Sequence, residues 1–248
     1  MLLAFLITLA APPATDLELD PVTDGAVIGI GLGLSAATQL LIASDVLPAT
    51  VPRAPERLPS IDRRYVGGAG GSPITGRLMS DGGLLLAGGI AVAGIGVTWH
   101  ERSGAEAFED VVLLAQSALI NTAASNVVKL AARRPRPQAY DHFDAHAPTD
   151  LGLSFYSGHT SLAAGLWATS SYLAFERRHR LRWVTFAIGG LVTTTVAVGR
   201  VVEREHFPTD VIAGALVGAG IGLLVPHMHQ ADVRLSVSPD AIGIQGRF

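Results

Sequence analysis

The chain has 248 residues, of which 49% are hydrophobic and only 16% are charged. This length suits one domain with a large core, and the composition lies at the apolar end of the globular range. The net charge of −3 supplies no basic surface, which argues against a nucleic-acid partner. Because cysteine is absent, the sequence excludes disulfides, thiolate zinc sites and a cysteine nucleophile.

The N-terminal residues differ in character from the rest of the chain. Met1 to Ala11 is apolar, small residues such as Ala14 lie near its end, and an acidic segment runs from Asp16 to Asp24. This order is typical of a secretory signal and its cleavage site, although no Lys or Arg precedes the apolar run. We therefore predict that residues 1–14 form a signal peptide or, alternatively, a short hydrophobic anchor.

Six nearly charge-free apolar stretches follow, most of them rich in Ala, Gly, Leu, Ile and Val. Small residues at close spacing let helices approach one another. Lengths of about 15 to 20 residues fit either membrane spans or buried core helices, but so few charges favour a membrane. We predict an all-α, membrane-embedded bundle over residues 25–228, with a buried, soluble bundle as the alternative. The stretches are residues 25–44, 82–99, 111–128, 159–174, 183–198 and 211–225.

Two further segments have readable patterns. Residues 45–81 contain four prolines in their first half and then Gly67-Gly68, so we predict a long irregular loop. The tail, residues 229–248, alternates apolar and polar residues on both sides of Ser238-Pro239-Asp240, which predicts a short β-hairpin.

The candidate functional side chains lie at the ends of the apolar stretches. Lys129 ends the third stretch and His159 begins the fourth, whereas Arg200 ends the fifth and Asp210 begins the sixth. If successive helices run antiparallel, all four ends emerge on one face of the bundle. The sequence therefore predicts a single site assembled from segments that are far apart in the chain.

Two motifs coincide with predicted helix starts. Ser157-Gly158-His159 directly precedes a helix, whose free N–H groups and positive dipole end suit a phosphate, although Ser and Gly are also ordinary helix-start residues. Pro208 fits the first position of the last helix, so His206 lies just outside it and Asp210 in its first turn. That carboxylate could accept a proton from one ring nitrogen and leave the other as a nucleophile. An incidental histidine at an ordinary helix N-terminus is the alternative.

Three cations accompany these motifs. Lys129 falls on the last turn of its helix, where a role at the helix dipole or the membrane surface is the alternative. Arg136 stands between Pro135 and Pro137, in a stiff segment that would hold its guanidinium in place. Arg200 directly follows the glycine that we expect to end the fifth helix.

Together these residues resemble the three-part signature of the type 2 phosphatidic acid phosphatase family, which shares its site with vanadium haloperoxidases and bacterial acid phosphatases. The resemblance covers about residues 80–225. Two positions depart from it, since Tyr156 stands where the family usually has proline and Gly199 where serine is common. The matching motifs are Lys129-x6-Arg136-Pro137, Ser157-Gly158-His159 and Arg200-x5-His206-x3-Asp210.

The resemblance implies a metal-independent phosphatase without a cofactor, acting on phosphate monoesters or pyrophosphates of lipids such as phosphatidate or an isoprenyl pyrophosphate. His206 would attack phosphorus to form a phosphohistidine, Asp210 would orient it, and His159 would protonate the leaving group and then activate water. Fixed cations would replace the metal in neutralising charge. The groups implied to bind phosphate are Lys129, Arg136, Arg200, the Ser157 hydroxyl and the Gly158 N–H.

Other interpretations stay open at this point. A vanadate-dependent haloperoxidase and a non-catalytic membrane protein that binds phospholipid are the alternative functions. Glu205 could raise the pKa of His206 or could face solvent, and the loop histidines His142 and His146 could mimic a metal cluster but are more simply solvated. By family analogy we expect a site in a bacterial-type cell membrane that faces the periplasm or exterior. A soluble periplasmic protein is the alternative.

Overall fold

The computed structural model describes residues 17–48, 50–68, 71–141, 144, 146–230, 233–238 and 241–246. The predicted signal or anchor, residues 1–14, lies outside them. Within the described residues the structure is an all-α bundle followed by a small antiparallel pair of strands, which confirms the predicted fold class. The elements are α1 (Pro21–Ala43), α2 (Ser60–Arg63), α3 (Pro73–Glu101), α4 (Gly104–Ala132), α5 (Gly158–Glu176), α6 (Arg182–Val202), α7 (Pro208–His227), β1 (Val233–Ser238) and β2 (Ala241–Gly246).

Local sequence explains where the helices begin. The side chains of Asp20, Ser72 and Ser103 accept hydrogen bonds from the free N–H groups of the first turns of α1, α3 and α4. Proline occupies the first position of α1, α3 and α7, where its missing N–H costs nothing. The predicted loop over residues 45–81 is therefore too long. The cap at Ser72 starts α3 at Pro73, and α2 forms inside the remaining segment.

The helix α5 is at the centre of the bundle and packs against α3, α4, α6 and α7. Small side chains let α7 approach α5 closely: a Cβ atom added to Gly214 would lie 2.6 Å from the Ser157 carbonyl oxygen. Gly218 and Gly222 leave similarly little room against the backbone of α5. This close approach is typical of helices packed by small residues in membranes.

The outer surface is suited to lipid. Five of the long helices, all except α5, are long and apolar enough to cross a membrane. Their outward faces carry large apolar side chains, such as Leu85 on α3 (79% exposed), Leu191 on α6 (63%) and Leu216 on α7 (71%). Water would disfavour so many exposed apolar side chains, whereas hydrocarbon accommodates them. The chain is a membrane protein.

The direction of the helices brings the polar ends together. The last turns of α1, α4 and α6 and the first turns of α3 and α5 line one common cavity, which defines the site face. The start of α1 lies at the opposite, far face, where Asp24 accepts a hydrogen bond from Gln116 of α4 at 2.8 Å and contacts His229, which follows α7. The antiparallel order predicted from the sequence is confirmed within the described residues.

Candidate active site

The cavity at the site face has a volume of about 590 Å³ and a mixed charge. It brings together Lys129, Arg136, His159 and Arg200, four of the residues that the sequence predicts for one site. Its walls also carry five carboxylates, which the sequence analysis did not assign to the site. These are Asp45, Asp81, Asp150, Glu203 and Glu205.

Lys129 reaches the start of α5 from the last turn of α4. A Cβ atom added to Gly158 would lie 3.4 Å from the Lys129 Nζ and 3.2 Å from the Ser125 Oγ, so the glycine leaves room for this approach. Within the described part of the chain, no carboxylate lies within 4.0 Å of the Lys129 Nζ. The ammonium group is therefore available to an anion at the positive end of the α5 dipole.

The two arginines are held from behind by acidic groups. Arg136, only 6% exposed, donates from Nη2 to the Asp150 carboxylate at 2.6 Å and from Nε to the Asp150 carbonyl at 2.9 Å. Arg200 donates from Nη1 to Glu203 at 2.9 Å. The remaining terminal nitrogens, Nη1 of Arg136 and Nη2 of Arg200, both contact the carboxylate of Glu205. Ion pairs of this kind fix the orientation of the planar guanidinium groups.

The Ser157-Gly158-His159 segment opens α5 as predicted. The buried Ser157 hydroxyl caps the helix, with contacts to the Thr160 N–H at 3.4 Å and the Thr160 hydroxyl at 3.0 Å. Phosphate binding by this hydroxyl stays a prediction. The side chain of His159 is 38% exposed in the cavity, and its Nε2 lies 3.4 Å from Asp81 Oδ1, a pairing that the sequence did not suggest.

His206 lies beside these cations on the short connection between α6 and α7. The side chain is only 1% exposed, and its Nδ1 donates to the Ser154 carbonyl at 2.7 Å. This hydrogen bond fixes the tautomer, so Nε2 carries the lone pair. Among the described residues, Nε2 has no hydrogen-bond partner. A buried nitrogen with a free lone pair next to three cations is the arrangement that a nucleophile requires.

Electrostatics keep this imidazole neutral. Burial lowers the pKa of His206 well below its ordinary value, and the positive charges of Arg136, Arg200 and Lys129 lower it further. A neutral ring can attack phosphorus, whereas an imidazolium cannot. Neither alternative for Glu205 describes the structure: the pKa of His206 is lowered, and the Glu205 side chain is 15% exposed and pairs with Arg136 and Arg200.

The role predicted for Asp210 needs correction. Its Oδ2 is 3.9 Å from His206 Nδ1, too far for a hydrogen bond, because the Ser154 carbonyl occupies that position. Asp210 instead accepts from the Ser154 hydroxyl at 2.5 Å and from the Phe207 N–H at 2.9 Å. It therefore acts on His206 indirectly, by holding both the acceptor and the segment that carries the ring.

Asp210 is itself held by residues that sequence reasoning missed. Arg134 donates to Asp210 at 2.5 Å and to the buried Asp62 at 2.8 Å, and its guanidinium lies 4.5 Å from the centre of the Phe207 ring. Asp62 belongs to α2 and also accepts from the Thr209 hydroxyl at 2.6 Å. Arg134 lies inside the lysine–arginine motif and could have been suspected, but nothing in the sequence signals Asp62.

Among the described residues, no histidine other than His159 lines the cavity. The side chain of His146 is 96% exposed, and His142 lies outside the described residues. His229 is at the far face, where its Nε2 lies 2.9 Å from Asp24.

Clustered cations, the start of α5 and a buried imidazole lie together at one face of a membrane-embedded helical bundle, a composition that suits a phosphate ester. Residues 110–234 match the PAP2 superfamily, and the chain belongs to that family. It is accordingly a phosphatase, a hydrolase of phosphoric esters.

A solved structure shares the architecture. The chain is similar to a transmembrane PAP2-type phosphatidylglycerolphosphate phosphatase from Bacillus subtilis, with 20% sequence identity and a TM-score of 0.50. The similarity covers 83% of this chain and 94% of that one. At this level of identity it shows a common fold.

Proposed function

We propose that this phosphatase hydrolyses a phosphate monoester or pyrophosphate group of a lipid through a phosphohistidine at His206. The observation that carries the proposal is the unpartnered, buried Nε2 of His206 beside Lys129, Arg136 and Arg200. A phosphoryl group in the cavity could be bound by these cations while its phosphorus faced the nitrogen lone pair. The apolar outer surface and the similarity to a membrane phosphatase support a lipid as the substrate.

The chemistry divides into two displacements at phosphorus. In the first, the Nε2 lone pair forms the N–P bond, the bond to the leaving oxygen breaks, and His159 donates a proton to that oxygen. In the second, His159 takes a proton from water, the water oxygen forms the new P–O bond, and the N–P bond breaks. Lys129, Arg136 and Arg200 neutralise the charge on the phosphoryl oxygens in both steps. Asp210 positions His206 through Ser154.

The assay is phosphate release by the purified full chain in detergent from phosphatidate, an isoprenyl pyrophosphate and p-nitrophenyl phosphate. With ³²P-labelled substrate and rapid alkaline quenching, we expect an acid-labile label on the wild-type protein and none on His206→Ala. His159→Ala should accumulate the labelled phosphohistidine when p-nitrophenyl phosphate is the substrate. The p-nitrophenolate group leaves with little protonation, so the first step proceeds. The second step is slow, because His159 is no longer present to take a proton from the attacking water.

His146→Ala is the matched control, since its exposed side chain lies in a loop. Full turnover by His206→Ala would refute the mechanism. Release from p-nitrophenyl phosphate alone would refute a lipid substrate.

We further propose that the site faces the periplasm or the exterior. Ser72, at the start of α3, lies at the site face, and Ser103, at the start of α4, lies at the far face. With each changed to cysteine, an impermeant thiol reagent applied to intact cells should label residue 72. Labelling of residue 103 but not of residue 72 would show that the site faces the cytoplasm and would refute this proposal.

A further inference from the structure

The residue before the proposed nucleophile has an unusual position. The side chain of Glu205 is only 15% exposed and lies between the two arginines of the site. Its Oε1 accepts a hydrogen bond from Gln138 at 3.0 Å. Its Oε2 forms ion pairs with Arg136 Nη1 and, at 3.4 Å, with Arg200 Nη2. One carboxylate thus bridges two cations that the proposed mechanism needs for the phosphoryl group.

Glu205 contacts two guanidinium nitrogens, Arg136 Nη1 and Arg200 Nη2, that form no ion pair with the other described carboxylates. Asp150 takes Nη2 and Nε of Arg136, and Glu203 takes Nη1 of Arg200. Glu203 also pairs with Arg77 and accepts from the Ser80 hydroxyl, and it contacts the guanidinium group of Arg200 but not that of Arg136. Among the described residues, only Glu205 touches both guanidinium groups, and it does so on terminal nitrogens that could also bind an incoming oxyanion.

Carboxylate and phosphate oxygens make the same charge-assisted hydrogen bonds to guanidinium. A phosphoryl group at Arg136 Nη1 and Arg200 Nη2 would compete with Glu205 for those nitrogens, and two anions at this separation would repel each other. Phosphate therefore binds these nitrogens less tightly while the carboxylate occupies them. Its position next to His206, on the connection between α6 and α7, allows the side chain to rotate without moving a helix.

We propose that Glu205 sets the affinity of the site for phosphate by competing for the guanidinium donors of Arg136 and Arg200. The inference rests on the proposed function, since that function assigns the substrate phosphate to the same two arginines. The competition weakens substrate binding, and it also displaces the inorganic phosphate produced by hydrolysis. Glu205 thus determines how strongly the product inhibits the enzyme.

The test is direct binding of orthovanadate and of inorganic phosphate to the purified full chain, measured by titration calorimetry. Glu205→Gln keeps the size of the side chain and removes its charge, and Glu205→Ala removes the competitor altogether. Because the competing charge is removed, we expect each variant to bind both anions at least about tenfold more tightly, a change of about 1.4 kcal/mol. Inhibition of turnover by inorganic phosphate should strengthen in parallel.

Asp141→Asn is the matched control. It removes the same charge from a nearby carboxylate that pairs with Arg204 at 2.6 and 2.8 Å rather than with the arginines of the site. Its affinity for both anions should equal that of the wild type. If Asp141→Asn tightens binding as much as Glu205→Gln, net charge explains the effect and the proposal is overturned.

The proposal is also overturned if both Glu205 variants, with wild-type melting temperatures, bind vanadate and phosphate no more tightly than the wild type. The binding measurement does not depend on turnover. Tighter anion binding by the variants of a chain that hydrolyses no ester would sink the proposed function and leave the competition intact. Normal hydrolysis with unchanged anion binding would overturn the competition by Glu205 and leave the proposed function intact.

Discussion

The two ends of the bundle use the same residue types for different purposes. At the far face, Thr98, Asp110, Arg177 and His179 form a buried far-end cluster that resembles the site in composition. His179 contacts the Thr98 hydroxyl at 3.0 Å, and Asp110 pairs with Arg177 at 3.2 Å. The same arginine also pairs with Glu106 and Glu109, so one cation faces three carboxylates.

Charge balance and satisfaction of hydrogen bonds separate the two ends. Burial lowers the pKa of His179, but the negative charge of Asp110 opposes that shift. At the site face, burial and three cations all lower the pKa of His206. His206 also keeps a ring nitrogen without a partner among the described residues. A buried histidine beside an aspartate and an arginine is therefore no evidence of catalysis. His206 differs from His179 in its ring nitrogen without a partner and in the three cations that lower its pKa.

The contrast between the two histidines gives the largest expected effect. His206→Ala should lower kcat by about four orders of magnitude or more, because the nucleophile is lost. His179→Ala should leave kcat per folded molecule unchanged but lower the melting temperature. Loss of a partner for the buried Thr98 hydroxyl costs about 1–3 kcal/mol.

Both variants are measured in detergent by steady-state turnover and thermal unfolding. If folded His179→Ala loses as much kcat as His206→Ala, the two ends of the bundle do not differ as a catalytic and a structural end.

A smaller effect separates Lys129 from Arg133, which lies one turn further along. Lys129→Ala should lower kcat/KM by about 10²–10³, because a preorganised charge next to the α5 N-terminus is lost. Arg133 directly follows the last residue of α4 with a positive φ of 45°, and its guanidinium donates to the Pro48 carbonyl. Arg133→Ala should therefore change kcat/KM by no more than about threefold, as is usual for partly exposed charges.

Phosphate-release kinetics on the same substrate panel compare the two variants. Equal losses would mean that Lys129 acts only as a charge at a helix end.

Sequence reasoning worked where a regular element or a fixed spacing carried the information. The apolar stretches gave six helices, and motif spacing placed Lys129, Arg136, His159 and Arg200 at one face. Sequence reasoning failed where a contact is made by the backbone, or where it joins residues that lie in irregular segments. The acceptor for His206 is a backbone carbonyl, which any residue at position 154 would supply. The bridge from Arg134 to Asp62 joins residues 72 positions apart through a short helix inside a loop.

The pH dependence of stability is the smallest expected effect. A histidine whose pKa is lower in the folded than in the unfolded state binds fewer protons when folded. The stability that His206 contributes is thus complete above its ordinary pKa of 6.5 and is lost as the pH falls from there toward its depressed value. The loss is at most about 1.4 kcal/mol per pH unit for one group.

His206→Asn removes this titration while an amide N–H can still donate to the Ser154 carbonyl, so its melting temperature should fall less than that of the wild type between pH 7.5 and 5.5. His179→Asn should flatten the curve in the same direction, because its pKa is also lowered by burial. The pH effect therefore follows burial at both ends, and only turnover distinguishes them. An unchanged slope in His206→Asn would mean that the folded ring accepts a proton near its ordinary pKa. Its free nitrogen would then be an imidazolium N–H at mildly acidic pH and could not act as the nucleophile there.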